Sequence, residues 1–321
     1  MGGDVMRALC DMDTIQIELT NACINSCSNC TRFCGHQTPF FMTKEQMIEA
    51  LDSMEGYPKM IGFMGGEPLL HPKFAEFCYL AKLRFKPEQL GLWTCLPEGH
   101  EHYKNVICET FGNIFLNDHT RDDIYHCPIL VGIDEVYENK KEMFYVIDHC
   151  WVQNFWSASI NPKGAFFCEV AAAMSLLFDD CNKDNLGWPI EKGWWYRTPK
   201  DFKEQIEEYC PKCGCAVPLK RRASIEEIDD ISLKNLERLK GRSFKIDKGK
   251  YAISDLKFVK QTEEMASYKD VVYRQGIASR YGIYLMVNEK GFQTPYSAES
   301  YIPRKRTLME EMRDDMSKMR I

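Results

Sequence analysis

Between residues 14 and 149, short alternating runs rich in Ile, Val and Leu are each followed by a stretch with helical spacing of apolar residues. This rhythm constrains the fold more than any other feature of the chain. DTIQIELT reads as a strand over Thr14–Leu19. MTKEQMIEALDSM reads as a helix from Lys44 to Met54, with Thr43 and Gln46 as a capping box and Met42 and Met47 as the staple across it. KMIGFMGGEP is a second strand ending in glycines, and HPKFAEFCYLAKL is a helix with Pro72 in its first turn. QLGLWTC, NIFLND and ILVGIDE supply a third, fourth and fifth strand, with helices around Glu101–Phe111 and Asn139–Asp148. Such alternation implies parallel strands joined by right-handed crossovers, hence an α/β barrel or part of one. Its chemistry belongs on the loops at the carboxyl ends of the strands.

The first of those loops is TNACINSCSNCTRFCGH, in which Cys23, Cys27 and Cys30 are spaced C-x3-C-x2-C. The chain has fifteen cysteines among 321 residues. Its N-terminus has no apolar core of a secretory signal, and no apolar run reaches the roughly 18 residues of a membrane span. A cytoplasmic location is expected, and there thiols serve as metal ligands, reactive groups or small core residues rather than disulfides. Cys78 and Cys108 lie on apolar helical faces and read as core. Three thiolates on one tight loop suit a [4Fe-4S] cube with one iron left open to a ligand that is not protein. Cys34, four residues beyond, reads as a bystander because the triad is complete without it. The net charge of -6 and the lack of a basic run interleaved with aromatics argue against nucleic acid. Lys220-Arg221-Arg222 and Arg304-Lys305-Arg306 read as solvated faces.

The C-x3-C-x2-C loop after the first strand, followed by Gly65-Gly66-Glu67-Pro68 at the end of the second, resembles the radical S-adenosylmethionine superfamily. The resemblance implies a partial (β/α)6 barrel, a [4Fe-4S] cluster on Cys23, Cys27 and Cys30, and S-adenosylmethionine chelated to the open iron. It also implies an electron donor such as flavodoxin or ferredoxin. Gly65 and Gly66 would let backbone approach the ligand, and Glu67 would accept from an ammonium group. The residue before the last cysteine is usually aromatic and packs near the adenine. Here it is Asn29, which passes that role to a neighbour such as Phe33. Thr94 stands where relatives carry Thr-Asn-Gly, whereas Cys95 departs from that pattern. Asn117 stands where relatives place a polar residue near the ribose, with Asp118 and His119 beside it.

After Cys150 the rhythm changes. WSASINPKGAFFC reads as a hairpin, a Trp-rich loop follows, then a helix over Pro199–Tyr209 and CPKCGC. Cys150, Cys168, Cys210 and Cys213 form a four-thiolate set that zinc would satisfy as well as a cluster. The resemblance favours a twitch module, a shortened SPASM domain, whose second [4Fe-4S] cluster is held wholly by protein. Cys215, Cys181, Cys95 and Cys127 remain as spare thiols, with Cys215 and Cys181 the candidate hydrogen donors. The tryptophans here read as packing around a site that excludes water. The expected organisation is a barrel over residues 1–149, an α+β auxiliary-cluster module over 150–222 and a C-terminal α/β extension over 223–321. Residues 224–241 read as a helix, with a further hairpin and a last helix beyond.

The twitch resemblance implies oxidation or epimerisation at a carbinol carbon of a small polyol, sugar or aminocyclitol. A maturase of ribosomally made peptides is the alternative enzyme, disfavoured because only about thirteen residues precede the first strand and a docking winged helix has little room there. A metal-cluster scaffold without activity is the third reading.

Overall fold

The computed structural model describes residues 6–117, 119, 124–179, 185–217 and 219–256. Cys181 and everything after residue 256, including the expected last hairpin and helix, lie outside the described residues.

The strand β1 (Thr14–Thr20) is the axis of the molecule, and all seven of its residues are buried. Its alternation sorts two faces. Ile15, Ile17 and Leu19 enter the apolar core, while Gln16, Glu18 and Thr20 are equally buried on the other side. The chain continues through α1 (Lys44–Ser53), β2 (Met60–Gly65), α2 (Phe74–Lys82), β3 (Leu90–Thr94), α3 (Lys104–Thr110) and β4 (Asn113–Leu116). These are the expected elements, each strand parallel to its neighbour, with Thr14 opposite Met60 and Ile61 opposite Leu90. The capping box on α1 is present: Gln46 N–H donates to Thr43 Oγ1 (3.2 Å) and Thr43 N–H to Gln46 Oε1 (2.9 Å). Phe63, Phe74 and Phe111 pack edge-on and stacked between the sheet and α2 and α3.

Beyond β4 the architecture departs from the sequence reading. After β5 (Tyr125–His126), the segment ILVGIDE is not a barrel strand. Leu130 makes one bridge to Ile231, and Gly132 caps the short α4 (Ile133–Val136). Its carbonyls are used by distant segments instead. Ile129 C=O accepts from Gly214 N–H, and Leu130 C=O accepts from Ser232 N–H. Then come α5 (Lys140–Asp148), α6 (Trp151–Phe155), β6 (Ser157–Asn161), β7 (Gly164–Phe166), α7 (Glu169–Phe178) and α8 (Lys203–Tyr209). The β6–β7 hairpin, read as the opening of an appended module, belongs to the main sheet. β6 runs parallel to β1 on the edge opposite β2, giving the order β4-β3-β2-β1-β6-β7. Within this sheet, among the described residues, β7 alone is antiparallel to its neighbour. The fold is therefore mixed α/β around a six-stranded, mostly parallel sheet.

The last described elements are β8 (Arg222–Ala223), β9 (Asp229–Ile231), α9 (Leu233–Leu239), α10 (Phe244–Asp247) and β10 (Tyr251–Ile253). Residues 224–241 are thus not one helix: Asp229–Ile231 extend to pair in parallel with Tyr251–Ile253. Trp194 and Trp195 pack beneath α1, donating to Ser53 Oγ (3.2 Å) and Ser53 C=O (3.1 Å). No helix of the described residues is long and apolar enough to cross a membrane.

Candidate functional site

The loop after β1 turns sharply twice. Asn29 and Phe33 both adopt left-handed backbone conformation, each with φ of 50°, and each stands immediately before a cysteine. Asn tolerates that region, whereas a bulky aromatic there is strained. The result is a compact loop in which Cys27 and Cys34 are buried. Cys34, expected as a bystander, is buried with its sulfur facing Gly66. Its thiol hydrogen-bonds both Cys23 and Cys30, which holds those two below the usual thiol range and pushes Cys34 up. Burial, with the neighbouring Cys30 and Cys23, raises Cys27 to about 12.

The Gly65-Gly66-Glu67-Pro68 turn is strapped to this loop backbone to backbone. Gly66 N–H donates to Thr20 C=O (2.8 Å) and Glu67 N–H to Ala22 C=O (2.7 Å). Gly65 has φ of +149°, and a Cβ on it would lie 2.0 Å from Thr20 O. A Cβ on Gly66 would lie 2.3 Å from Ala22 O and 2.9 Å from the Cys34 sulfur. The close approach that requires glycine is therefore to the cysteine loop itself. Pro68 opens a 3-10 turn capped by Glu67.

Glu67, expected to accept from an ammonium group, accepts from four donors of the chain itself. Its Oε1 accepts from Leu69 N–H (3.0 Å) and Thr94 Oγ1 (2.7 Å), and its Oε2 from Cys95 N–H (2.8 Å) and the Cys95 thiol (3.0 Å). Four donors occupy both oxygens of a buried carboxylate, which ties the ends of β2 and β3 together. Thr94 is a strut in that tie, and it also accepts from Leu96 N–H. Asn117 continues from β4 beside it, with its N–H on Thr94 C=O (2.8 Å) and its side-chain oxygen on His119 Nε2 (2.7 Å). Phe33 lies in the core, edge-on to His36 with ring centroids 5.6 Å apart.

Two buried charge networks lie against the cysteine loop. The first comes from the C-terminal segment. Asp229 Oδ1 accepts from Asn29 N–H (2.5 Å) and Lys245 Nζ (3.0 Å), and its Oδ2 bonds His36 Nε2 (2.9 Å). Lys245 also donates to Cys27 C=O (2.8 Å). Asn29 forms a reciprocal pair with Asp230: its Nδ2 donates to Asp230 Oδ2 and its Oδ1 accepts Asp230 N–H, both at 2.8 Å. An aromatic residue at 29 could make neither bond. Burial pushes the Asp229 carboxyl up, but His36 and Lys245 outweigh it and hold the group below its ordinary value of 3.8.

The second network fills the polar side of β1. Arg32 pairs with Glu169 (2.8 Å) and Glu18 (3.2 Å) and bonds Gln16 Oε1. Ser159 donates to Glu18 (2.8 Å) and Ser157 to Glu169 (2.7 Å). Burial raises the Glu18 carboxyl against the opposing charge of Arg32. Gln16 Nε2, Glu18 Oε2 and Arg32 Nε remain buried without a hydrogen-bond partner, a costly arrangement without a polar ligand or water. Sequence reasoning passed over these residues. The available signals were Glu18 as the charged residue of the strand β1 and Arg32 two positions after Cys30.

The cysteines of the second thiol set face a common space. Cys150, Cys168, Cys210, Cys213 and Cys215 line one small cavity with apolar groups such as Met6, Phe167 and Met174. Cys150 and Cys168 precede α6 and α7, and backbone N–H groups of Val152, Gln153 and Ala171 reach their sulfurs. Burial pushes Cys150 up to about 12 and lifts Cys168 and Cys210 well above the thiol range. Cys213 is lowered by a hydrogen bond from the Cys215 thiol. Cys215, expected as a free hydrogen donor, thus sits inside the second set. No three His, Cys, Asp or Glu side chains among the described residues converge as ligands of a single ion. Both sets carry the donors of iron–sulfur ligation, thiols with backbone N–H groups aimed at sulfur. Arg32 and Glu169 run from two residues after Cys30 to one after Cys168, so the second charge network connects the two sets.

No protein-family model matches this sequence, and no curated protein matches it. The solved structures that show some likeness include two of BtrN. One is BtrN in complex with AdoMet and 2-DOIA, 12% identical, covering 63% of this chain and 88% of that chain with a TM-score of 0.39. The other is selenomethionine BtrN in an open conformation, 10% identical, covering 66% of this chain and 96% of that chain with a TM-score of 0.38. Similarity of that degree leaves the reading of the site to the residues described above.

Proposed function

We propose that this protein is a radical S-adenosylmethionine enzyme that oxidises a carbinol carbon of a small polyol, sugar or aminocyclitol. The observation that carries the reading is the cysteine loop strapped by Gly65, Gly66 and Glu67 at the carboxyl end of β1 and β2. Cys23, Cys27 and Cys30 would hold one [4Fe-4S] cluster, and Cys150, Cys168, Cys210 and Cys213 a second in a twitch-like arrangement. When bound, the first would supply the electron for reductive cleavage of S-adenosylmethionine, and the second would accept the electron given up by the substrate radical once one hydrogen atom and the hydroxyl proton have left. The chain's own residues do the rest. Glu67 holds β2 and β3 in register beneath the loop. Asp229 and Lys245 brace the loop from the other side and bury it from solvent. The unmatched atoms of Gln16, Glu18 and Arg32 are donor, acceptor and donor, a set complementary to hydroxyl groups.

Oxidation is preferred to epimerisation because inversion needs a free thiol as hydrogen donor. Cys215 is engaged with Cys213, Cys95 with Glu67 and Cys127 with Arg221. Cys181 lies outside the described residues. A flavodoxin or ferredoxin is the proposed electron source.

Anaerobic reconstitution tests the reading. The expected result is about eight irons per chain and 5′-deoxyadenosine on reduction with S-adenosylmethionine. About four irons at most, or no 5′-deoxyadenosine, removes it. With substrate candidates, one 5′-deoxyadenosine per product that has lost two hydrogens means oxidation. Deuterium gained from solvent without loss of mass means inversion.

A further inference from the structure

On the polar side of β1, Gln16 stands opposite Ser159 of β6 and Gly62 of β2, and Glu18 opposite Met64. One guanidinium gathers the group. Arg32 Nη1 donates to Glu18 Oε1 (3.2 Å), and its Nη2 donates to Glu169 Oε2 (2.8 Å) and to Gln16 Oε1. A guanidinium only donates, so the Gln16 amide must turn its oxygen to Arg32 and leave its nitrogen free. Gln16, Glu18 and Arg32 are at most 3% exposed, yet each keeps one atom without a partner: Gln16 Nε2, Glu18 Oε2 and Arg32 Nε. The first two each share a carbon with an atom bonded to Arg32, so the three unmatched atoms surround one guanidinium. Buried polar atoms in a packed core are normally satisfied. An aromatic wall stands beside them. A Cβ on Gly62 would lie 2.5 Å from the Trp93 ring, which places that ring over the strand position next to Gln16. Trp93 stacks on Phe115, with centroids 4.4 Å apart and 13° between planes, and meets Trp156 edge-on. A few placed polar groups against an apolar, aromatic wall are the makings of a small-molecule site.

The unmatched set has a specific complement. Two donors and one acceptor match a single hydroxyl, whose oxygen carries two lone pairs and one hydrogen. An ammonium group has no lone pair for Gln16 or Arg32, and a carbonyl or ether has no hydrogen for Glu18. The cluster also lies between the two thiol sets, since Arg32 follows Cys30 by two positions and Glu169 follows Cys168 directly. We infer that Gln16, Arg32 and Glu18 hold the hydroxyl of the carbon that is oxidised, and that Glu18 Oε2 takes its proton. The inference rests on the radical S-adenosylmethionine reading above and adds the proton acceptor to it. The step balances. The C–H hydrogen leaves as an atom to the 5′-deoxyadenosyl radical, the O–H proton goes to Glu18, one electron goes to the second cluster, and the C=O bond forms.

Two isosteric exchanges test this in anaerobically reconstituted full-length protein with S-adenosylmethionine added. Gln16→Glu turns the free donor into an acceptor, and Glu18→Gln turns the free acceptor into a donor. Both keep the oxygen that faces Arg32. Calorimetry reads the binding of myo-inositol, D-glucose and D-glucosamine, with iron content as the check on folding. Each exchange should weaken the polyol that binds wild type by about tenfold or more, the scale of one hydrogen bond to a charged group. With that polyol deuterated on carbon, Glu18→Gln should still pass deuterium into 5′-deoxyadenosine. Its ketone per 5′-deoxyadenosine should fall about a hundredfold, the scale of a lost general base. Gln16→Glu should lower both together. A purely structural Glu18 would not split them. Should Glu18→Gln lose its iron, the affinity of Gln16→Glu decides. The inference is overturned if none of the three polyols binds wild type, or if wild type takes no deuterium from the one that binds. Unchanged affinity in the exchanges, as a buried water alone at the trio would give, overturns it too, as does a parallel fall of ketone and deuterium transfer in Glu18→Gln. Failure of the underlying reading looks different: the exchanges weaken polyol binding, but wild type forms no 5′-deoxyadenosine.

Discussion

Asp229→Asn is the sharpest probe of how the cysteine loop is held. Asp229 and Lys245 are 1% and 2% exposed at the side chain, and the carboxylate also accepts from His36 and from Asn29 N–H. The substitution keeps the shape and removes the charge, stranding a buried ammonium against Cys27 C=O. Breaking a buried ion pair from one side costs about 3–5 kcal/mol. At about 2–4 °C per kcal/mol for larger domains, the melting temperature should fall roughly 6–20 °C. Asp229→Asn/Lys245→Met removes the stranded charge as well and should recover a large part of that loss. Anaerobic urea unfolding of the four proteins of the cycle, with iron content measured in parallel, reads both effects. The pH dependence has a defined sign. The folded carboxyl is held below its ordinary value of 3.8, so its contribution is complete above that value and disappears as pH falls through the lower folded value. The stability gap between wild type and Asp229→Asn should therefore be constant above about pH 5 and close on further acidification. A single variant within 1 kcal/mol of wild type, or a double variant as unstable as the sum of the singles, refutes the clamp.

Arg32→Met leaves Glu18 and Glu169 buried without their shared cation. It should cost about 3–5 kcal/mol in urea unfolding, with Arg32→Lys intermediate because it keeps the charge and loses the fork. Gly66→Ala pushes against Ala22 C=O and Cys34 and should weaken iron retention at the first set about tenfold. Gly99→Ala, with nothing within 4 Å of the added carbon, should leave iron retention unchanged. Cys27→Ala and Cys210→Ala should each lower the iron content by about four per chain. Cys27→Ala should abolish 5′-deoxyadenosine formation, while Cys210→Ala keeps part of it and ends substrate turnover.

What the chain could declare by itself is what short segments decide. The strand at Thr14, the capping box at Thr43, the helix around Asn139–Asp148 and the grouping of the cysteines into two sets depend on residues a few positions apart or on ligand types that admit few uses. Local chemistry of that kind is legible without a partner. Only the tertiary structure could settle where the charged groups go. Asn29 meets Asp229 across 200 positions, Lys245 reaches Cys27 across 218, and Arg32 finds Glu169 across 137. In sequence these charges look like any solvated surface, and Glu67 like a free acceptor. Burial converts them into obligatory pairs, because a charge withdrawn from water needs a partner the fold must bring from far along the chain. The same non-local contacts took the backbone groups of ILVGIDE away from the barrel and placed the hairpin after Cys150 beside β1.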